Sequence, residues 1–235
     1  MLSLSKIDVV ILCGGFGKRL QTIVKDIPKP MVMIKRRPFL DILIDFIASY
    51  GFKRFILCTG YKADVIERYY KQKTNKLIIE FSREEKPLGT GGAIKNAENY
   101  IKSSPFLIAN GDSFCKINLK EFVDFHFKKD ALISMAVTNT DICDDYGVIT
   151  INSLQQIVKF NEKVKGCKNR LINTGFYLLQ REVFSLMPGK GNFSIERDLF
   201  PKIIKKDLYA FETQESVIDI GTPERYKKAK HLLGQ

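Results

Sequence analysis

The feature that most constrains this fold is an alternation of short apolar runs with helix-type patterns along the first half of the chain. Residues 8–13 form a short apolar run that ends in glycines, which is typical of a buried strand. Residues 39–50 carry apolar side chains at helical spacing, and Gly51 follows as a suitable C-cap. Alternating strands and helices predict a parallel sheet with helices on both faces.

The same reading extends along the rest of the chain. Further strands are predicted at 55–59, 77–81, 106–109, 132–137, 148–151, 156–160, 173–179, 209–212 and 216–218. Further helices are predicted at 63–70, 91–101, 118–129, 181–186, 195–204 and 223–233, with Asn118 and Glu121 forming a capping box. The strands after Asp112 are expected to add a second layer at one edge. We find no repeat or long linker, so we predict one domain.

Composition excludes several classes of protein. The 235 residues include 38 Lys and Arg against 26 Asp and Glu, a net charge of +12. The basic residues are spread along the chain, which favours a solvated surface or phosphorylated substrates over nucleic acid. The five cysteines form no Cys-x-x-Cys pair, and the only histidines are His126 and His231. A reduced, cytoplasmic setting is therefore expected, without a disulfide framework or a histidine-rich metal site.

No membrane span is predicted, because no run of eighteen apolar residues occurs. The N-terminal segment could imitate a signal peptide, since Lys6 precedes an apolar run. Asp8 interrupts that run, and glycines and basic residues stand where a small-residue cleavage site would be. We therefore predict a buried strand there.

A glycine-rich loop, LCGGFGKRL at 12–20, follows the first strand. Glycines allow close approach of backbone N–H groups to a ligand, and Lys18 and Arg19 match phosphate oxygens. Neither common phosphate loop fits, because Arg19 stands where a dinucleotide loop needs glycine and a Walker loop needs Ser or Thr. A simple tight turn remains an alternative.

Five more segments carry polar or glycine patterns at predicted element ends. In 26–31, prolines fix the backbone on both sides of Lys29, although a surface lysine would look the same. The segment 84–93 places three glycines at a helix start, which suits a ligand or a flexible loop. Asp112 and Asp219 each follow a strand, as magnesium ligands or turn residues can. Polar residues at 161–163 and 173–175 suit sugar hydroxyls.

Parallel sheets bind ligands beyond the carboxyl ends of their strands, so the loops at Gly14 and Gly89 and the residue Asp112 should surround one crevice. The order of the segments, LCGGFGKRL, KPM, KPLGTGGAI, NGD, YGVI, FNEK, NTGFYLL and DIGTPERY, resembles the sugar-1-phosphate nucleotidyltransferase family over essentially the whole chain. Within it, the chain looks closest to bacterial D-glycero-α-D-manno-heptose 1-phosphate guanylyltransferases, followed by mannose-1-phosphate guanylyltransferases.

The resemblance implies a Rossmann-like, three-layer α/β/α fold with a mixed, mainly parallel central sheet and a small β-rich sugar-binding part. It implies a nucleotide-binding part at about 1–112 and a sugar-binding part at about 113–235. The implied substrates are GTP and a sugar 1-phosphate, the implied cofactor is Mg²⁺, and the product is a GDP-sugar for capsule or lipopolysaccharide synthesis. No nucleic acid or membrane partner is implied, and a homodimer is allowed.

Site roles follow from the same resemblance. Arg19, Lys29 and Asp112 are the implied catalytic residues, and Asp112 and Asp219 the implied magnesium ligands. The implied nucleotide-binding residues are Leu12, Gly14, Gly15, Gly17, Lys18, Arg19, Glu84, Pro87, Gly89, Thr90, Asn110 and Gly111. The implied sugar-phosphate residues are Gly147, Glu162, Lys163, Asn173 and Thr174.

The base and the sugar are less directly indicated. A carboxylate at Glu84 suits the two adjacent donors of guanine, whereas relatives that transfer uridylyl or thymidylyl groups often carry Gln there. Glu85 is the alternative base contact. Val164 replaces the proline that many relatives have after Glu162 and Lys163. Another hexose 1-phosphate, another nucleotide (UTP, CTP or dTTP) and a non-catalytic nucleotide-sugar-binding protein are the competing readings.

Overall fold

A computed structural model describes residues 3–17, 19–20, 23–24, 26–73, 76–141, 146–162, 169–189, 191–204 and 206–234. The strands within these ranges are β1 (Asp8–Leu12), β2 (Met33–Ile34), β3 (Arg37–Pro38), β4 (Arg54–Thr59), β5 (Ile78–Arg83), β6 (Phe106–Asn110), β7 (Ser113–Cys115), β8 (Ile133–Thr140), β9 (Gly147–Ile151), β10 (Ile157–Glu162), β11 (Arg170–Leu179), β12 (Leu208–Thr213) and β13 (Val217–Asp219). The α-helices are α1 (Phe39–Ser49), α2 (Ala63–Gln72), α3 (Gly89–Asn96), α4 (Leu119–Lys128), α5 (Phe200–Ile203) and α6 (Pro223–Leu232). Shorter helical turns are the 3₁₀ segments Leu4–Lys6, Lys29–Met31 and Arg181–Leu186 and the π-helix Ile195–Leu199.

Nine strands form one mixed central sheet. Seven of them follow the order β10-β9-β11-β6-β1-β4-β5, while β8 pairs with β11 and β12. Strands β6, β1, β4 and β5 are mutually parallel, and β11 runs antiparallel to β6. The carboxyl ends of β1, β4 and β6 therefore meet at one edge, where the glycine-rich loop and the Asn110-Gly111-Asp112 segment begin.

Strand β11 changes its neighbour partway along its length. Its last residues pair with β6, from Phe176 opposite Ala109, whereas Leu171 and Ile172 pair with β9. The sheet therefore forks where β6 ends. The expectation of a second layer after Asp112 is wrong, because β8 to β12 continue the main sheet and satisfy their backbone hydrogen bonds there.

Apolar side chains cover both faces of this sheet, because neighbouring residues of a strand point to opposite faces. In β1, Val9 and Ile11 belong to one buried cluster with α1 and α4, and Val10 belongs to a second cluster with α3 and α5. The predicted three-layer α/β/α arrangement is confirmed.

Most predicted elements agree with the structure to within two residues at each end. Asn118 caps α4 by accepting a hydrogen bond from the N–H of Glu121 at 3.3 Å, as the capping-box pattern predicts. The helix predicted at 91–101 instead begins at Gly89 and gives way to turns after Asn96. Among the described residues, no helix is both long and apolar enough to cross a membrane.

Candidate active site

The glycine-rich loop leaves β1 between the ends of β4 and β6. The N–H of Cys13 donates to the carbonyl of Cys58 at 2.9 Å, and the N–H of Gly111 donates to the carbonyl of Leu12 at 3.0 Å. Gly17 has a φ of +58°, a left-handed conformation that favours glycine. A Cβ on Gly15 would meet no atom within 4 Å, so its backbone faces open space.

This loop forms one wall of a cavity of about 460 Å³, which we call the glycine-loop cavity. Many of the predicted nucleotide-binding residues line it. They are Leu12, Gly14, Gly15, Glu84, Pro87, Gly89, Thr90 and Asn110. The predicted residues Gly17 and Gly111 lie beside it without lining it, since Gly17 packs on Lys29 and Gly111 packs on Leu12.

Glu84, and not Glu85, faces the glycine-loop cavity. The Glu84 side chain is half-buried, and its Oε2 accepts a hydrogen bond from the N–H of Leu88 at 3.2 Å. Its Oε1 lies so close to Gly14 and Gly60 that a Cβ on either would approach within 2.6 and 2.5 Å. Burial raises the pKa of Glu84, and the Leu88 hydrogen bond opposes that rise. Glu85 is exposed.

A second cavity of about 500 Å³, the strand-end cavity, opens at the fork of the sheet. It brings together the predicted catalytic, metal and sugar residues that the structure describes. They are Arg19, Lys29, Asp112, Gly147, Asn173, Thr174 and Asp219. The two cavities share a wall, which consists of Lys29, Gly89, Thr90, Asn110, Asp112, Asn192 and Arg197.

Lys29 and Asp112 stand in that shared wall as an ion pair. Lys29 begins a 3₁₀ turn between two prolines, and its Nζ lies 2.5 Å from Oδ2 of Asp112. Burial favours the neutral acid of Asp112, but the Lys29 charge and the hydrogen bonds from Lys29 and Ser113 outweigh it. The pKa of Asp112 is therefore below its usual value, and the carboxylate is ionised near neutral pH.

Asp219 lies next to Asp112 because β13 pairs with β7. Asp219 is opposite Ser113 in that pairing, and the N–H of Ile220 donates to the carbonyl of Asp112 at 3.1 Å. Tyr146 donates its hydroxyl to Asp219, and Arg225 lies 3.3 Å from its Oδ2. Asp112 and Asp219 thus lie side by side at the cavity, and neighbouring side chains hold the carboxylate of each.

These two carboxylates fit a magnesium site in which the protein supplies only two ligands. No group of three or more His, Cys, Asp or Glu residues within the described ranges could hold a metal ion. Mg²⁺ commonly uses one or two protein carboxylates and takes its other oxygens from phosphates and water. A pair such as Asp112 and Asp219 matches that usual protein share of a magnesium site.

Two of the predicted sugar-side hydroxyl and amide groups are already engaged within the protein. The hydroxyl of Thr174 donates to the carbonyl of Ala136 at 2.9 Å, and only 1% of Thr174 is exposed. The amide of Asn173 donates to the hydroxyl of Tyr177 at 2.5 Å. Lys18, Lys163 and the side chain of Glu162 lie outside the described residues.

Several residues that line the site were not among the predicted site residues. They are Tyr146, Asn192, Glu196, Arg197 and Arg225. Tyr146 precedes Gly147, and Arg225 lies within TPERY, so their motifs offered a hint. The segment 192–198 reads as an ordinary helix start, and only the tertiary structure places it against the glycine-rich start of α3.

Comparisons with known proteins agree with this arrangement. The sequence model of one family, described as "Nucleotidyl transferase", matches residues 8–235. The chain is 36% identical to the D-glycero-alpha-D-manno-heptose 1-phosphate guanylyltransferase of Campylobacter jejuni over 93% of this chain and 96% of that enzyme. It is 35% identical to the mannose-1-phosphate guanyltransferase of Saccharomyces cerevisiae, with 92% of this chain covering 62% of that protein.

A solved structure is similar over nearly the whole chain. The crystal structure of HddC from Yersinia pseudotuberculosis complexed with GMP-PN superposes with a TM-score of 0.85. The two chains are 38% identical, and the match covers 97% of this chain and 99% of HddC.

Proposed function

We propose that this chain, which belongs to the nucleotidyl transferase family, transfers GMP from GTP to D-glycero-alpha-D-manno-heptose 1-phosphate. The products would be GDP-heptose and pyrophosphate. One observation carries this proposal: two cavities meet at a shared wall that contains Lys29 and Asp112. Such a wall suits a reaction between two bound phosphates, one in each cavity.

The chemistry requires positioning and charge neutralisation more than proton transfer. The phosphate of a sugar 1-phosphate is an anion near neutral pH, so it can attack the α-phosphorus of GTP without a general base. Neither His126 nor His231 is among the residues that line the two cavities. The described lining instead includes the cations Arg19, Lys29, Arg197 and Arg225, which suit polyanionic substrates.

We assign Lys29 to the reacting phosphates. Its ammonium group has three donors, and the pair with Asp112 uses one of them. The flanking prolines hold its backbone, so the remaining donors can reach phosphate oxygens with little loss of freedom. Arg19 lines the strand-end cavity, so the β- and γ-phosphates that we assign to it would extend past the shared wall from the glycine-loop cavity before they leave as pyrophosphate.

Asp112 and Asp219 would hold Mg²⁺ in this proposal. The adjacent backbones of the two residues and the ionised state of Asp112 support the assignment. The ion, when bound, supplies positive charge to the phosphate oxygens. Tyr146 and Arg225 keep Asp219 in place beside the cavity.

Glu84 is the group proposed to select guanine. Its carboxylate can accept hydrogen bonds from N1–H and the 2-amino group together, and each oxygen keeps lone pairs beyond the contact with Leu88. Uracil presents one donor between two acceptors and would meet a carboxylate less well. Gly14 leaves room for this side chain, because a Cβ on Gly14 would come within 2.6 Å of Oε1 of Glu84.

Mannose 1-phosphate is the second candidate acceptor. The match to the yeast mannose-1-phosphate guanyltransferase includes 92% of this chain, at 35% identity. The described residues of the strand-end cavity include no group whose chemistry distinguishes a heptose from a hexose. The sugar must therefore be assigned by activity.

We test the proposal by measuring pyrophosphate release with magnesium. The grid combines GTP, UTP, CTP, ATP and dTTP with the 1-phosphates of heptose, mannose, glucose and N-acetylglucosamine. High activity with GTP and heptose 1-phosphate alone is expected. High activity with another pair of nucleotide and sugar 1-phosphate would overturn the substrate assignment. No activity with any pair, from folded protein, would favour a nucleotide-sugar-binding protein.

The setting and assembly of the enzyme are part of the proposal. We place the reaction in the cytoplasm, which the buried free thiols of Cys13, Cys58 and Cys115 support. A homodimer and delivery of the product to capsule or lipopolysaccharide synthesis follow from the family resemblance alone.

A further inference from the structure

A single carboxylate, Glu196, connects the walls of the two cavities. Its Oε2 accepts hydrogen bonds from the hydroxyls of Thr90 and Ser194, both at 2.6 Å. Its Oε1 accepts from the hydroxyl of Tyr177 at 3.4 Å. We infer that Glu196 is a positioning residue that couples nucleotide binding to sugar-phosphate binding. This inference rests on the proposed function, because it assigns one substrate to each cavity.

On the nucleotide side, Glu196 and its neighbours fix the glycine-rich start of α3. The Thr90 hydroxyl donates to Glu196 and accepts from the N–H of Ile195 at 3.0 Å. The N–H groups of Gly91 and Gly92 donate to the carbonyl of Phe193 at 3.0 and 3.2 Å. The position of Thr90, predicted to bind nucleotide, therefore depends on the segment that carries Glu196.

On the sugar side, the connection runs through a fully buried tyrosine. The hydroxyl of Tyr177 donates to Glu196 and accepts from Nδ2 of Asn173 at 2.5 Å. The Oδ1 of Asn173 accepts from the N–H of Gly175 at 2.9 Å, which fixes the direction of its amide. Burial and the nearby charge of Glu196 raise the pKa of Tyr177, so its hydroxyl keeps the proton that it donates.

The network runs from Thr90 in the shared wall, through Glu196 and Tyr177, to Asn173 in the strand-end cavity. Binding of either substrate would fix one arrangement of this network. The other substrate would then bind to side chains that are already ordered, and its affinity would rise. Coupling between two sites is reciprocal, and typical values change each affinity by about 5- to 150-fold. The hydrogen bond between Tyr177 and Glu196 is the longest in the network, at 3.4 Å, so we expect a value in the lower part of that range.

Glu196→Ala is the direct test. Calorimetry gives the Kd of guanosine 5′-(α,β-methylene)triphosphate, with magnesium, in the absence and presence of saturating heptose 1-phosphate. The wild type should show tightening of about fivefold or more. Glu196→Ala should lower that ratio to about one, while the affinity for each ligand alone changes less than the ratio does.

Two further variants separate coupling from folding. Tyr177→Phe removes only the hydroxyl that joins Glu196 to Asn173, so the ratio should fall while the affinity for the nucleotide analogue alone is kept. Glu182→Gln changes an exposed carboxylate outside both cavities and should retain the wild-type ratio. Thermal unfolding of each variant shows which of them are folded.

The outcomes distinguish this inference from the proposed function. A wild-type ratio near one, or an unchanged ratio in folded Glu196→Ala and Tyr177→Phe, overturns the coupling role, even if the enzyme turns over GTP and heptose 1-phosphate. An absence of pyrophosphate release across the whole substrate grid overturns the proposed function, whatever the ratio is.

Discussion

Gly60→Ala should weaken the preference for GTP although Gly60 does not line either cavity. Gly60 lies behind Glu84, and a Cβ added there would come within 2.5 Å of Oε1 and 2.8 Å of Cγ of Glu84. The Gly60 backbone is not in the left-handed region, so alanine causes no backbone strain there. Its only conflict is the close contact with Glu84. The substitution therefore moves the Glu84 carboxylate and leaves its chemistry unchanged.

The size of the effect follows from that contact. Ordinary van der Waals contact begins at 3.4 Å, so the Glu84 carboxylate must retreat by roughly 0.9 Å. A displacement of that size spoils the distance or the angle of a hydrogen bond of about 2.9 Å to guanine, whichever way the carboxylate moves. A hydrogen bond to a charged group contributes about 1.5–3 kcal/mol. Losing one lowers kcat/KM for GTP by about 10- to 150-fold.

The assay compares kcat/KM for GTP and UTP at a fixed concentration of heptose 1-phosphate. The GTP-to-UTP ratio should fall about tenfold or more in Gly60→Ala. Gly189→Ala is the matched control, because a Cβ there meets no atom within 4 Å, and it should keep the wild-type ratio. A wild-type ratio in folded Gly60→Ala would refute the argument that the position of Glu84 selects the base.

Three other substitutions test separate parts of the structure. Glu84→Gln should also lower the GTP-to-UTP ratio of kcat/KM, and an unchanged ratio would assign base selection to backbone groups. Asp112→Ala should abolish pyrophosphate release while circular dichroism remains that of the wild type, and near-normal turnover would remove Asp112 from the reaction. His126→Gln should make the free energy of unfolding less sensitive to acid. Burial lowers the pKa of His126 from 6.5 to about 4 in the folded protein. Below pH 6.5 the unfolded chain therefore binds a proton that the folded protein does not. This linkage costs the wild type about 2 kcal/mol of unfolding free energy between pH 7 and pH 5, and urea titrations of the variant should show a loss smaller by that amount.

Local patterns predicted the elements that position the site. The apolar run of β1, the glycines after it and the Asn118 cap of α4 all depend on residues close in sequence. The grouping of Gly14, Gly89 and Asp112 around one crevice followed from parallel topology, and the structure places all three on the cavity walls. The roles assigned to these residues remain predictions.

The errors and omissions arose from contacts between distant residues. The fork of β11 depends on Phe176 meeting Ala109, and no local pattern indicates which strand accepts which partner. Glu196 contacts Thr90, which lies 106 residues earlier in the chain. A glutamate in the first turn of a helix is so common that its own sequence context could not single it out.

The shared wall also has a consequence for the product of the proposed reaction. A nucleotide sugar would occupy both cavities with one covalently joined molecule, so binding of one half would hold the other at a high effective concentration. Its affinity should therefore exceed that of GTP or of the sugar phosphate alone. Release of the nucleotide sugar, and not formation of the new bond, would then limit the rate of turnover. Accumulated product would inhibit the enzyme.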